Sequence, residues 1–343
     1  MITIDGSVGG GQLLRTALAL SAITKTPFSM RNIRAGRKDP GIKAQHLLCI
    51  NAIKEITGAT CDAKLGDTEI TFIPGTLRSV TDTTLDVGTA GSVTLVLQCL
   101  LPTLISSRKR SHLFIKGGTD VAWSPSIDYV RETILPALKP YADINISIQK
   151  RGFYPKGGGE IELSLKPAKK IVPLDKTSKG RLLHITGTVL ASMHHGEQDI
   201  VERMKKIEQM TLSKTNTSVR IQDAHANTPS LGIVTTLAAA YEHTVIGADK
   251  LWDKDQNPDE LAESCAKLLL SRMKSEAACD EHLADHLIPY LGLFGGALTT
   301  THKTEHLITN IDITNLFLEN KEIIVEEKEQ LLHIYTKEKE KKE

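Results

Sequence analysis

The order of secondary-structure signals repeats along this chain, and that repetition constrains the fold more than any single motif does. Residues 2–5 (ITID) predict a short strand that hands over to a glycine-led helix, GGGQLLRTALALSAI. A strand (SMRNI), the turn RAGRKDPG, a second helix (AQHLLCINAIKEI) and a strand pair ending in TEITFIPG follow. Residues 83–167 run through the same order: strand TTLDV, helix GTAGSVTLVLQCLLPTLI, strand SHLFI, turn KGGTDVAWSP, helix SIDYVRETILPAL and the hairpin DINISIQKRGFYPKGGGEIELSL. Ile33-Arg34-Ala35-Gly36 matches Ile115-Lys116-Gly117-Gly118, 82 positions on, and Gly11 matches Gly91, 80 positions on. Period-2 alternation in EIELSL marks strands, and i, i+3, i+4 spacing marks the helices. Each unit reads β-α-β-α-β-β.

A more degenerate third copy occupies the C-terminal part: helix DEHLADHLIPYLGLF, strand ALTTTH, helix TEHLITNIDITNLF, and the strands EIIVEE and QLLHIYT. Residues 181–275 break the pattern with their own strands and two helices, GEQDIVERMKKIEQM and NPDELAESCAKLLLSRM. The expected fold class is therefore α/β (α+β), with three tandem units in a large domain and a smaller inserted α/β domain. The units one and two span 1–180, the insertion 181–275, the third unit 276–336, and 337–343 form a charged, solvated tail. Removing about 95 inserted residues from 343 leaves about 248, or three units of about 83, within the size of a large single domain.

With 42 basic and 41 acidic residues, net charge selects no class of partner. Its distribution does. Residues 1–46 hold Arg15, Lys25, Arg31, Arg34, Arg37, Lys38 and Lys43 against Asp5 and Asp39, a local positive excess suited to an anionic ligand. The five cysteines show neither CxxC nor zinc spacing, and four lie in apolar or helical surroundings. Buried free thiols and a reducing, cytoplasmic setting are expected. MITIDG lacks a basic leader, and the longest apolar stretch, VTLVLQCLLPTLI (93–105), is too short to cross a bilayer, so no membrane association is expected.

No Walker A sequence and no GxGxxG that opens a Rossmann unit is present. GGGQ (9–12) and GTAGS (88–92) sit where a strand passes into a helix, a place suited both to anions and to tight packing. RAGRKDPG (34–41) is sharper. Arg34 and Arg37 flank a glycine turn, with Arg15 on the preceding helix and Gln45-His46 opening the next, as expected where phosphate or carboxylate is held bidentately, the other reading being a solvated surface turn. The equivalent turn of the second unit has Lys116 and Asp120, so the arginines are not a requirement of the fold. His306 lies near the start of an amphipathic helix whose apolar positions 307, 308, 311, 316 and 317 predict the buried face. HLADH (282–286) has a spacing seen both at metal sites and on ordinary helix surfaces. RGFYPKGGGE (151–160) looks like a phosphate loop, but it closes a hairpin and leads into a strand. Without a helix N-terminus its glycines are expected to shape a turn and allow close packing.

DGS…GGGQLLR, RAGR…PG…QH, AGSVTLVLQ, GGTD, RGFYPKGGGE, HLAD and HLITN, in this order, resemble the RNA 3'-terminal phosphate cyclase family over essentially the whole chain. The resemblance implies three such repeats plus an inserted domain, and a reaction that uses ATP to turn an RNA 3'-phosphate into a 2',3'-cyclic phosphate. It implies His306 as the nucleophile that carries AMP. It implies ATP contacts at Gln98 and at His282, Leu283, Ala284, Asp285 and His286, and phosphate contacts at Arg15, Arg34, Arg37 and Gln45. A divalent metal, Mg²⁺ or Mn²⁺, is also implied. Here the sequence departs: the family's DGSxGEGGGQ, whose glutamate serves as a metal ligand, is shortened to DGSVGGGQ, leaving Asp5 as the nearby carboxylate. The tyrosine usual before LAD is His282. The other branch with this resemblance is a cyclase-like RNA-binding protein of ribosome assembly without adenylylation.

Overall fold

A computed structural model describes residues 1–8, 10–193 and 199–339. The first third comprises β1 (Ile2–Asp5), α1 (Gly10–Thr24), β2 (Phe28–Arg31), α2 (Ala44–Thr57) and β3 (Ile70–Phe72). Next come β4 (Val80–Asp86), α3 (Val93–Ser106) and β5 (Ser111–Gly117), then a helical run and the hairpin β6 (Ala142–Lys150) and β7 (Gly159–Pro167). The helical run joins α4 (Ile127–Tyr129) and α5 (Leu135–Leu138) through a π-helical turn over Val130–Ile134. After β8 (Leu174–Lys176) come β9 (Leu182–Ser192), α6 (Ile200–Leu212), β10 (Val219–Ala226), β11 (Ile233–Tyr241), β12 (Val245–Leu251) and α7 (Pro258–Lys274). The chain ends with α8 (Glu281–Phe294), β13 (Gly296–Thr300), α9 (Glu305–Phe317), β14 (Lys321–Lys328) and β15 (Leu331–Glu338).

The fold is mixed α/β, with four small sheets among the described residues. Two of them, β4-β5-β7-β6 and β8-β13-β15-β14, share one order: a parallel first pair, then antiparallel neighbours. The sheet β1-β2-β3 keeps the parallel pair and one antiparallel neighbour. Where a closing strand pair is expected there, only β3 forms, and Thr60 meets Ile73 in an isolated bridge. The third sheet takes its first strand, β8, from before residues 181–275, a three-residue stretch too short to carry a periodic signal. At the C-terminus β15 extends through Lys337 and Glu338, which pair with Glu322 and Lys321, so these two residues of the expected tail are strand. Residues 340–343 of that tail lie outside the described residues.

α1 is mostly apolar and is buried from Gln12 to Ala22, on almost its whole circumference. Such a helix must be enclosed on all sides, and α2, α3 and α9 surround it. The strand order β10-β9-β11-β12 forms a separate sheet with α6 and α7 packed against it and its own apolar cluster around Ile185, Val189, Leu237 and Leu269. On the other side of that sheet, Leu190 and Val234 receive Phe153, from the loop between β6 and β7. A Cβ on Gly232 would lie 2.3 Å from the Phe153 ring, so only glycine leaves room for it.

That loop is the RGFYPKGGGE stretch, and it is a turn, as its hairpin setting predicts. Gly157 and Gly158 take left-handed φ values of 68° and 80°. Arg151 is buried and holds Asp120 at 3.2 Å and Asp128 at 2.6 Å. Burial works against its charge, but the two carboxylates outweigh that and raise its pKa. All five cysteines are free and buried.

Candidate functional site

Four helices begin at nearly the same place. A Cβ on Gly11, in the first turn of α1, would lie 2.2 Å from His46 Nε2 in the first turn of α2. Gln45, also in α2, accepts the backbone N–H of Ser92, the N-cap of α3, at 3.2 Å. Gln12 in α1 donates to the carbonyl of His306, in the first turn of α9, at 3.4 Å. Helix starts present unpaired N–H groups and the positive end of a dipole. No acidic residue occupies the first turn of α1, α2 or α3 to offset it.

Cationic side chains deepen the field. Arg15 is buried, and its Nε donates to Gln98 Oε1 at 3.1 Å. Burial pulls its pKa down, and no carboxylate pairs with it among the described residues. A buried guanidinium without a counter-ion is costly, which makes the position one that an anion stabilises. Arg37 is exposed and stands over the start of α1: a Cβ on Gly10 would lie 3.5 Å from its Nη2. Arg34, at φ 56°, spends Nη1 on the carbonyls of Asp39 (3.0 Å) and Gly41 (3.1 Å), so part of its role is to hold the turn.

His306 faces solvent on the first turn of α9, where Thr304 caps Leu307 N. Its pKa lies below the normal 6.5, chiefly from partial burial and then from Arg15, with Glu305 acting the other way. That shift favours the neutral ring at pH 7. The buried face of α9 differs from the expected one. Leu307, Asn310, Ile311, Ile313, Thr314 and Phe317 are buried, whereas Ile308 and Leu316 are exposed. The polar members of that face make the seam with α1 and α8: Asn310 Oδ1 accepts from Thr16 and its Nδ2 donates to the Asp285 carbonyl, each at 2.8 Å.

The segment 282–286 divides by helix face. Leu283 and Ala284 are in the main apolar core, so their side chains do not reach the site. Asp285 is buried and accepts from Thr304 Oγ1 at 2.9 Å, which fixes the start of α9. Burial raises its pKa to about 7, against the Thr304 hydrogen bond. His286 is half-buried, and burial followed by His282, Arg15 and His306 brings its pKa to about 3. With Gln98, Thr94, Val130, Ile134 and Tyr290 it lines a crevice of about 10 Å³. That is room for one water-sized group. His282 is exposed, with its ring 6.2 Å from Tyr129, edge to face.

Among known proteins, a model of the family described as RNA 3'-terminal phosphate cyclase matches residues 7–324. The RNA 3'-terminal phosphate cyclase of Saccharolobus solfataricus is 38% identical over 328 residues, covering 94% of this chain and 95% of its own. The proteins of the same name from Sulfolobus acidocaldarius and Pyrococcus furiosus are 38% and 37% identical, covering 94% and 92% of this chain and 96% and 93% of theirs. This chain belongs to the RNA 3'-terminal phosphate cyclase family.

The described side chains gather no ready set of ligands for the divalent metal that the resemblance implies. Among the described residues, no group of three His, Cys, Asp or Glu comes together to hold an ion. Asp5 is exposed and has one carboxylate oxygen engaged: its Oδ1 accepts from Ser7 N at 3.0 Å and Asn32 Nδ2 at 3.2 Å. No helix of the described residues is long and apolar enough to cross a membrane.

Sequence reasoning missed His46 as a site residue in its own right. It is 3% exposed, and burial and then Arg15 lower its pKa to about 3. Its Nδ1 accepts from Lys43 N at 3.2 Å, which leaves the proton on Nε2, facing the start of α1. Gln12 and Thr304 were missed too. The QH pair and the Thr two residues before His306 were visible, but their contacts across the fold were not.

Proposed function

We propose that this chain is an ATP-dependent RNA 3'-phosphate cyclase working through a histidine adenylate. One observation carries the reading: a solvent-accessible His306 beside four converging helix starts and the buried Arg15, which has no carboxylate partner among the described residues. A neutral ring nitrogen of His306 attacks the α-phosphorus of ATP, forming the P–N bond as the bond to pyrophosphate breaks. The RNA 3'-phosphate then attacks the same phosphorus and takes the AMP from His306. Last, the neighbouring 2'-OH attacks the activated phosphate, losing its proton as AMP leaves with the bonding pair. This step is intramolecular, with an effective molarity on the order of 10⁵ M or more, so activation of the phosphate is the main task.

Arg15, Arg37 and the helix starts hold the phosphates and spread the charge that gathers in each displacement. Gln98 and His286 border the nucleotide, and Thr304 and Asp285 set the angle of α9 and so of the nucleophile. No step is assigned to a metal held by the protein. The test is incubation with ATP and a 3'-phosphorylated RNA. An acid-labile protein–AMP adduct and a 2',3'-cyclic end are expected, and both are expected to vanish in His306→Ala. Their absence in the natural protein, or their survival in His306→Ala, overturns the reading.

A further inference from the structure

Two large aromatic rings stand in solvent on the turns that pack against loop 88–92. Trp123 is 98% exposed and has a left-handed φ of 67°. A bulky residue gains nothing from that backbone region, and an indole in water forfeits the burial that favours it in a fold. Tyr154 is 73% exposed, on the loop that buries Phe153. Both turns rest on the loop 88–92. A Cβ on Gly118 would lie 2.6 Å from Ala90 O and 2.5 Å from Val121 Cγ1, and a Cβ on Gly157 would lie 2.9 Å from Ala90 Cα. The two turns are also tied together, because Thr119 N and Asp120 N both donate to the Gly152 carbonyl. The loop beneath them ends at Ser92, whose N–H is held by Gln45 of the site.

Charge on these turns has one sign. Asp120 and Arg151 are buried against each other, so Lys156 is the exposed charge on 117–126 and 151–158. Exposed aromatic faces with a lysine beside them suit single-stranded nucleic acid, whose bases stack in a sequence-tolerant way while phosphates meet the cation.

We propose that Trp123 and Tyr154, with Lys156, form a stacking platform for the nucleotides upstream of the last two at the RNA 3' end. The terminal phosphate sits at Arg15 and Arg37, and the strand leaves across loop 88–92 onto the two rings. This rests on the RNA-end reading above and adds to it a binding surface that responds to RNA length. It assigns the RGFYPKGGG loop two faces: Phe153 inward as a joint, Tyr154 and Lys156 outward as a contact.

The experiment compares a 3'-phosphorylated dinucleotide with a 3'-phosphorylated ten-nucleotide RNA in the natural protein, Trp123→Ala and Tyr154→Ala. Each substitution is expected to raise KM for the longer RNA about five-fold or more. The dinucleotide KM, the adduct formed from ATP alone and the melting temperature should not move. An unchanged KM for the longer RNA overturns the platform. So does a change of oligomeric state in Trp123→Ala with RNA kinetics intact, which would assign the ring to a protein contact. Failure of the cyclase reading is distinguishable, since it appears as no adduct in the natural protein. The platform is then judged by fluorescence. The chain has two tryptophans, so Trp252→Phe leaves Trp123 as the sole reporter. Its emission should be quenched by the ten-nucleotide RNA, and lack of quenching overturns the proposal.

Discussion

The turn after β2 (32–41) and the turn after β5 (117–126) occupy the same place in two sheets, and they treat charge in opposite ways. In the first, Arg37 is exposed over the start of α1, and Arg34 braces the turn through backbone carbonyls. In the second, Asp120 is sealed by Arg151, which also holds Asp128. One turn keeps its positive charge available to a ligand. The other neutralises its charge internally and uses it to fasten a hairpin. Position in the topology therefore fixes where a turn is, while the partners of its charges decide whether those charges serve binding or cohesion.

The largest expected effect tests the second turn. Arg151→Ala leaves two buried carboxylates without their cation and should cost about 3–5 kcal/mol in a denaturant titration. A stable Arg151→Ala protein would break the contrast. Arg37→Ala should do the reverse: adenylylation slowed about 10–100-fold by the loss of a charge-assisted contact, with an unchanged denaturation midpoint. Gly11→Ala pushes a methyl against His46 and should cost about 1–3 kcal/mol by overpacking, again read from the midpoint.

The pH profile sharpens the comparison. Partial burial first, and Arg15 next, keep the His306 pKa below 6.5, so the reactive neutral form persists to lower pH than in a free histidine. Adenylylation should hold as pH falls through 6.5 and fail only below it. In Arg15→Met, and less so in Arg37→Ala, the acid limb should move back up toward 6.5. The smallest effect belongs to Lys116, near the end of β5. It meets Glu160 at 3.8 Å on the surface, so Lys116→Ala should change stability by less than about 0.5 kcal/mol and leave the acid limb in place.

Much of this was legible in the sequence because it is local. Glycine-led helices, alternating strands and the arginine turn are written within short windows, and the strands and helices around 181–275 were read the same way. His306 came from the family resemblance, since nothing in its own helix marks it as a nucleophile. What could not be read depends on contacts between distant segments. β8 is three residues long and finds its partner, β13, on the far side of residues 181–275. The closeness of Gly11 to His46, or of Phe153 to Gly232, exists only once the chain is folded. Ile308 and Leu316 face water because Asn310 and Thr314 fill the seam instead, a choice that an apolar periodicity cannot register.

Phe153 also sets a rule for anyone who would trim this protein. Excising 182–274 to obtain a minimal three-sheet enzyme would strip the cover from its ring, supplied by Leu190 and Val234. The same cut would deprive Asp280 of the Gly247 N–H at 3.0 Å and Ser126 N of its Asp249 partner at 2.7 Å. A shortened version would need a polar residue at 153 and a new partner for each of those groups. Residues 182–274 are thus tied into the scaffold from which α8 starts.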